Sequence, residues 1–196
     1  WLSMDEAVKH CTKGIGVWNF ASTDQKSEPD IVMACCGDTP TLETIAAVSI
    51  LKENFKNLKI RVINVVDLMR LQSDKIHPHG LSDYDYDSLF TKDKPIIFAF
   101  HGYPSLIHQL TYKRNNQELH VHGYLEEGTI TTPFDMRVQN KIDRFHLVLD
   151  ALKYLPKLEN KKCDLEEWCK NKLIEHKEYI HEYGTDLDEI KNWEWK

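Results

Sequence analysis

The sequence predicts an α/β fold in which a mostly parallel sheet lies between layers of helices. Residues 31–36, Ile-Val-Met-Ala-Cys-Cys, form an unbroken apolar run that ends at Gly37, as expected for a parallel strand covered on both faces. From Asp30 to about Tyr154, strand-like apolar runs alternate with segments of helical periodicity, which is the pattern of successive βα units. Ligands and partner domains usually meet such sheets at the carboxyl ends of the strands.

The elements follow from these patterns in chain order. Strands are predicted over 31–36, 59–66, 96–100 and 119–123. Helices are predicted over 41–56, briefly over 68–71, from Ser82, over 104–113 and over 136–155. Thr39 is the expected cap of the first of these helices and Pro40 lies in its first turn. The apolar stripe of that helix is predicted to contain Leu42, Ile45, Ala46, Ser49 and Ile50.

The chain divides into three predicted segments. Residues 1–29 are expected to connect the chain to an upstream domain. They begin with a capping box at Ser3 and Glu6, and the start at Trp rather than Met indicates a piece of a longer polypeptide. Residues 30–155 form the α/β domain. Residues 156–196 form a helical extension, in which a helix over about 160–182 is expected to cover a sheet edge or a subunit contact with Leu165, Trp168, Cys169, Leu173 and Ile180.

Composition narrows the function classes. The formal net charge of −6, without a basic stripe, argues against binding to nucleic acid or to a bare membrane surface. No apolar run approaches the roughly 20 residues of a spanning helix. Cys35 and Cys36 are adjacent in a predicted strand, and no Cys-x-x-Cys occurs, so we expect reduced core thiols and a cytoplasmic protein.

Histidines give the first candidates for chemistry. His120 and His122 share one face of a predicted strand, where they could ligate a metal if a third ligand converged; solvent-facing or interface histidines are the favoured interpretation. His101 follows a strand, at the edge where a functional side chain is expected, and Gly102 lets another backbone approach. Contact with another domain is favoured there over independent catalysis.

Three loops give further candidates. The turn Gly37-Asp38-Thr39 could offer helix N-terminal amides to an anion, although Asp38 opposes negative charge there. Glu126 and Glu127 are adjacent on an extended chain and therefore point apart, which disfavours paired acid/base work. The segment 131–135, Thr-Thr-Pro-Phe-Asp, is typical of an ordered contact loop. From the residues alone, the chain is expected to form a folded domain with an interface for other protein segments, without a self-sufficient active site.

Six ordered segments resemble a known family. They are GDTPT at 37–41, VINVVDL at 62–68, LSD at 81–83, LFTKDKP at 89–95, FAFHGY at 98–103 and TPFDMRV at 132–138. Together they resemble the C-terminal domain of phosphoketolase. The resemblance implies a three-layer α/β/α domain like the transketolase C-terminal domain, with one antiparallel edge strand.

The resemblance also implies a function for the longer protein. Phosphoketolases cleave xylulose 5-phosphate or fructose 6-phosphate with phosphate, giving acetyl phosphate and an aldose phosphate. Thiamine diphosphate and magnesium are held by the two upstream domains, between the subunits of a homodimer or higher homo-oligomer. No cofactor, metal or catalytic residue of the family maps onto this chain, so the isolated domain is expected to be inactive and to support domain and dimer packing.

Six side chains are then expected to face the catalytic domains: His101, Tyr103, Thr131, Thr132, Phe134 and Asp135. Two other functions stay open. One is a regulatory module that binds a small molecule at the turn 37–41, and the other is a purely structural dimerisation domain.

Overall fold

The computed structural model describes residues 2–25, 27–125, 130–155 and 158–195. Within them, five strands form one mixed sheet with helices on both faces, which confirms the predicted α/β class. The strands are β1 Ile15–Val17, β2 Ile31–Cys36, β3 Ile60–Val65, β4 Ile96–Phe100 and β5 Leu119–Gly123. The helices are α1 Met4–Lys13, α2 Asp38–Asn54, α3 Asp83–Phe90, α4 Pro104–Thr111, α5 Pro133–Gln139, α6 Arg144–Lys153, α7 Glu159–Tyr183 and α8 Asp188–Lys191, with a 3₁₀ helix at Leu68–Leu71.

The sheet has the strand order β1-β3-β2-β4-β5. Strands β2 to β5 are parallel, and β1 pairs with β3 in the antiparallel sense, as the family resemblance implied. In the register, Cys36 lies opposite Phe100, and Phe100 lies opposite Gly123. The carboxyl ends of β2, β4 and β5 are therefore level with one another, so the loops that follow these three strands meet at one edge.

Strand alternation divides the core into two layers. In β2, Ile31 and Met33 face the layer formed with α2, α6 and α7, whereas Val32 and Ala34 face the layer formed with α3 and α4. All six residues of β2 are buried, as the unbroken apolar run predicted.

The two terminal segments pack on this core. Strand β1 extends the sheet, and Trp18 joins the first core layer. At the other end, Leu165, Cys169 and Ile190 join the same layer. Trp168, predicted on the apolar face of α7, packs its ring edge-on against Phe145 but remains 41% exposed. Within the described residues, no helix combines the length and apolarity that a bilayer crossing requires.

The start of α2 differs from the prediction. The helix begins at Asp38, so Thr39 lies inside the first turn, and Gly37 takes the cap position without a side-chain bond. The hydroxyl of Thr41 donates instead to the carbonyl of Gly37, at 2.6 Å. The predicted apolar stripe also covers only part of the buried surface of α2, because this helix packs between the sheet and α6. Glu43, Thr44, Ala47 and Val48 are buried, while Leu42, Ser49 and Ile50 are half-buried.

The single helix predicted over 136–155 is wrong, since two helices, α5 and α6, occupy this region. Lys141 adopts a left-handed conformation (φ 55°) between them. The carboxylate of Asp143 then accepts the backbone N–H groups of Phe145 and His146 and starts α6. The apolar spacing continues across the break, and this hid the break from a search for periodicity.

Candidate functional site at the carboxyl edge

The candidate site begins where β2 and β4 end. Gly37 has φ 101°, and a Cβ at this position would lie 2.4 Å from Cβ of His101. The backbone N–H of His101 donates to the carbonyl of Cys36, at 3.0 Å. Glycine is therefore required here for two reasons, the backbone conformation and the close approach of the neighbouring loop. The turn holds His101 at the edge, with its side chain exposed.

Tyr124, which follows β5, joins His101 at this edge. Their ring centroids are 4.9 Å apart. Burial raises the pKa of Tyr124, and the positive charge and hydrogen bond of Arg137 only partly oppose this effect. The phenol thus keeps its proton at neutral pH and lies between an exposed imidazole and a guanidinium.

Glu43 is the centre of a charged network behind these rings. Its carboxylate is completely buried in α2. Arg144 donates to both carboxylate oxygens, through Nε at 2.9 Å and Nη2 at 3.0 Å, and its backbone N–H donates at 2.9 Å. Nη1 of Arg137 lies 2.6 Å from Glu43 Oε1. One buried carboxylate therefore fixes two arginines from two different helices and joins α5 and α6 to α2.

The segment before α5 forms the other side of the site. The carboxylate of Asp135 accepts the hydroxyl of Thr131 at 2.8 Å, and Thr132 caps α5 by accepting from the backbone N–H of Asp135 at 3.4 Å. The ring of Phe134 is buried against Phe145 and the residues around it. The structure therefore corrects the expectation for Phe134, whose side chain lies in the core rather than on a surface that another domain could contact.

His176 of α7 lies buried behind the same loop. Its Nε2 is 3.9 Å from a carboxylate oxygen of Asp135 and 3.9 Å from one of Asp186. Among the described residues, neither ring nitrogen has a hydrogen-bond partner, nor has Oδ1 of Asp186. Burial lowers the pKa of His176, although the two aspartates oppose the shift. A groove of about 610 Å³ lies beside them, lined by residues 130–133 and by the end of α7.

Five of the six predicted contact residues, all but the buried Phe134, fall into two groups. His101 and Tyr103 are exposed after β4, and Tyr103 precedes the first turn of α4. Thr131, Thr132 and Asp135 are half-buried around the start of α5. Their contact with other domains stays a prediction. Glu126 and Glu127 lie outside the described residues.

Sequence reasoning missed the residues that hold the site together, which are Glu43, Tyr124, Arg137, Arg144 and His176. The sequence did contain one signal for Glu43, because it is the single charged residue in the mostly apolar stretch 40–51 of α2. Its partners lie 94 and 101 positions away, and no local spacing could identify them.

The turn at 37–41 is tied to β3 through the hydroxyl of Thr41. The amide of Asn64 donates to Thr41 Oγ1 at 3.2 Å, and the same hydroxyl donates to the carbonyl of Gly37.

Burial raises the pKa of the Cys35 thiol and raises the pKa of Cys36 to about 12. Both thiols therefore stay protonated at neutral pH and are poor nucleophiles. The prediction that they are core residues is confirmed.

The two strand histidines have other partners. Nε2 of His122 lies 2.8 Å from a carboxylate oxygen of Asp150, and the ring of His120 stacks on Tyr154 at 3.8 Å. In the part of the chain that the structure describes, no group of three or more His, Cys, Asp or Glu side chains is arranged to hold a metal ion. The two histidines are thus held by a hydrogen bond to Asp150 and by a stacking contact with Tyr154.

Comparison with known proteins agrees with this architecture. A family described as "XFP C-terminal domain" matches residues 1–195. A protein of Gloeobacter violaceus described as "Probable phosphoketolase" is 62% identical over 196 residues, which are 100% of this chain and 25% of that protein. A protein of Clostridium acetobutylicum with the same description is 61% identical over 195 residues, which cover 100% of this chain and 24% of that protein. The chain thus spans about a quarter of the length of these curated relatives.

A solved structure supports the fold. A transketolase of Pichia stipitis aligns with a TM-score of 0.52 over 76% of this chain and 19% of that protein, at 14% identity. This likeness concerns the fold alone. The match of the family over nearly the whole length, together with identity near 60% to proteins described as phosphoketolases, shows that the chain belongs to the XFP C-terminal domain family.

Proposed function

We propose that this chain is the C-terminal domain of a cytoplasmic phosphoketolase that cleaves xylulose 5-phosphate, fructose 6-phosphate or both with phosphate, giving acetyl phosphate and an aldose phosphate. The observation that carries the proposal is identity near 60% over the whole chain to proteins about four times as long. The reactive machinery then belongs to upstream domains, and this domain supports their packing and that of a homodimer or higher homo-oligomer.

Thiamine diphosphate and magnesium belong to the upstream domains in this proposal, as the family resemblance implies. Its support from this chain is that no group of three or more His, Cys, Asp or Glu side chains among the described residues is arranged to hold a metal ion. No chemical step is derived through this chain.

Activity measurements test the proposal. The protein encoded by the full reading frame, supplied with thiamine diphosphate and magnesium, is expected to form acetyl phosphate from at least one of the two ketose phosphates, and the isolated chain is expected to form none. Calorimetry with thiamine diphosphate and the isolated chain should show no tight binding. A full-length protein that forms no acetyl phosphate from either sugar, or an isolated chain that does, would contradict the proposal.

Variants of the full-length protein test the role of the carboxyl edge. His101→Ala and Tyr103→Ala are expected to weaken dimer formation or retention of thiamine diphosphate, because both side chains lie exposed in the loop between β4 and α4. Tyr84→Ala is the matched control, since Tyr84 is 83% exposed at the start of α3, whereas Tyr103 is 53% exposed. Equal behaviour of all three variants in analytical ultracentrifugation and in cofactor titration would remove support for this role.

A regulatory small-molecule site is a second candidate, and one observation favours it at a different place from the turn 37–41. A cavity of about 720 Å³ lies at the amino edge of the sheet, between the end of α2, the start of β4 and the end of α6. Its walls include Phe55, Leu58 and Tyr154, with Lys56 and Lys94 among its polar groups. This volume and mixture are typical of ligand pockets. A thermal-shift screen of anionic metabolites, repeated with Lys56→Ala and Lys94→Ala, tests this candidate.

A further inference from the structure

Helix α1 is well formed but covers little of the core. Ser3 and Glu6 make a reciprocal capping box, and Gly14 ends the helix in a left-handed conformation. None of its ten residues is buried. Met4 and Val8 are 79% and 57% exposed, and Cys11 is also exposed. Spacings of four and three place these side chains in one row, which we name the α1 stripe (Met4, Val8 and Cys11).

The orientation of α1 is fixed by its other side. His10 Nε2 lies 2.8 Å from the side-chain oxygen of Asn64, and the His10 ring contacts the ring of Trp18 with centroids 5.9 Å apart. The backbone amides of Val66 and Asp67 both donate to the carbonyl of Gly14. The helix is thus anchored to the end of β3, and the α1 stripe points away from the domain.

An apolar row on an anchored amphipathic helix normally packs against something. The relatives carry about three quarters of their length outside the matched region, and the family name places this domain at the carboxyl end of its polypeptides. Upstream polypeptide would then join the chain within a few residues of α1. Such a tether gives the upstream part a high effective concentration at this helix, so a small apolar contact suffices to hold it.

We propose that the α1 stripe is the docking surface for an apolar face of the upstream part of the same polypeptide. This inference rests on the proposed function and adds the surface through which the domain is attached. It concerns different residues from the exposed loop at His101 and Tyr103.

Thiol labelling of the full-length protein tests the inference, because the chain has an exposed cysteine on the stripe and another on α7. Cys11 and Cys163 are both exposed in this chain. Each labelling rate with a maleimide is measured by peptide mass spectrometry and divided by the rate of a matching synthetic peptide. If upstream polypeptide covers the α1 stripe, the normalised rate of Cys11 should be at least about tenfold lower than that of Cys163, because the reagent then reaches Cys11 only when the contact opens locally.

Two variants on the same helix sharpen the test. Val8→Glu places a charge in the α1 stripe and should increase the labelling rate of Cys11 in the full-length protein. Lys9→Glu introduces the same side chain on the polar side of α1 and should leave that rate unchanged. Cys11 reacting as fast as Cys163, or a rate insensitive to Val8→Glu, overturns the inference. If either of these labelling results is found but the full-length protein still forms acetyl phosphate, the inference fails and the proposed function stands. The two failures are therefore distinguishable.

Discussion

Replacing Glu43 by Gln should destabilise the chain strongly, because its carboxylate is the shared counter-charge of two arginines. The carboxylate is completely buried and accepts donors from Arg137 and Arg144 and the Arg144 backbone N–H. The amide keeps the shape, but it loses the charge and presents an N–H₂ group to donors. Breaking a buried ion pair by removing one partner costs about 3–5 kcal/mol, because the other charge is left uncompensated. For a chain of this length, that corresponds to a fall in Tm of roughly 6–20 °C.

Urea unfolding followed by tryptophan fluorescence measures this loss. Glu53→Gln is the matched control, since Glu53 lies on the same helix, is exposed and makes a long side-chain contact with Ser49 at 3.3 Å. The control should change the free energy of unfolding by less than about 0.5 kcal/mol. If Glu43→Gln costs as little as Glu53→Gln, the network does not hold α5 and α6 on α2, and the reasoning is refuted.

Three further predictions concern stability. Gly37→Ala should cost about 1–3 kcal/mol, because the residue needs φ 101° and the added Cβ would collide with His101. Gly184→Ala is the control: this residue has φ 65° with open space around it, so its cost in the same urea titration should be smaller. Although burial alone raises the pKa of Asp150, hydrogen bonds from His122 and a neighbouring lysine lower it from 3.8 to about 2. The stabilisation that comes from the ionised carboxylate is fully present above about pH 4 and is lost as the pH falls through 2. Asp150→Asn should therefore cost about 2 kcal/mol of unfolding free energy at neutral pH, and this cost should disappear near pH 2. A cost that stays constant over this pH range would contradict the assignment. Burial lowers the pKa of His176, so stability should fall as the pH drops below the unfolded value of about 6.5, and His176→Gln should flatten the dependence of Tm on pH between 7 and 5. Parallel curves for His176→Gln and the wild type would show that this imidazole does not titrate on unfolding.

Local sequence patterns predicted most of the strands and helices, because these elements depend mainly on the periodicity of neighbouring apolar residues. The apolar run of β2 and the alternation of strands and helices appear in the structure with ends shifted by a few residues. Strand β1 was missed as a sheet strand, since three residues on an edge carry little pattern. The break between α5 and α6 was also missed, because it depends on Asp143 capping a new helix within a continuous apolar spacing.

The candidate site was predictable as a place but not as a set of contacts. Parallel strands of a sheet end at one edge, which located His101 correctly. The buried partners of that edge could not be predicted in the same way. Glu43 and Arg144 look like surface residues in a sequence, and only the packing of α2 against α6 removes both from water.

By itself, the sequence determined the α/β class, the edge at which function is expected and the resemblance to phosphoketolase C-terminal domains, because hydrophobic periodicity and ordered motifs are written along the chain. Only the tertiary structure decided that Phe134 is a core residue, that Glu43 joins three helices, and that α1 is anchored with an apolar stripe exposed. These features depend on which distant side chains share a desolvated space. That is a property of packing, and it leaves no mark in local spacing.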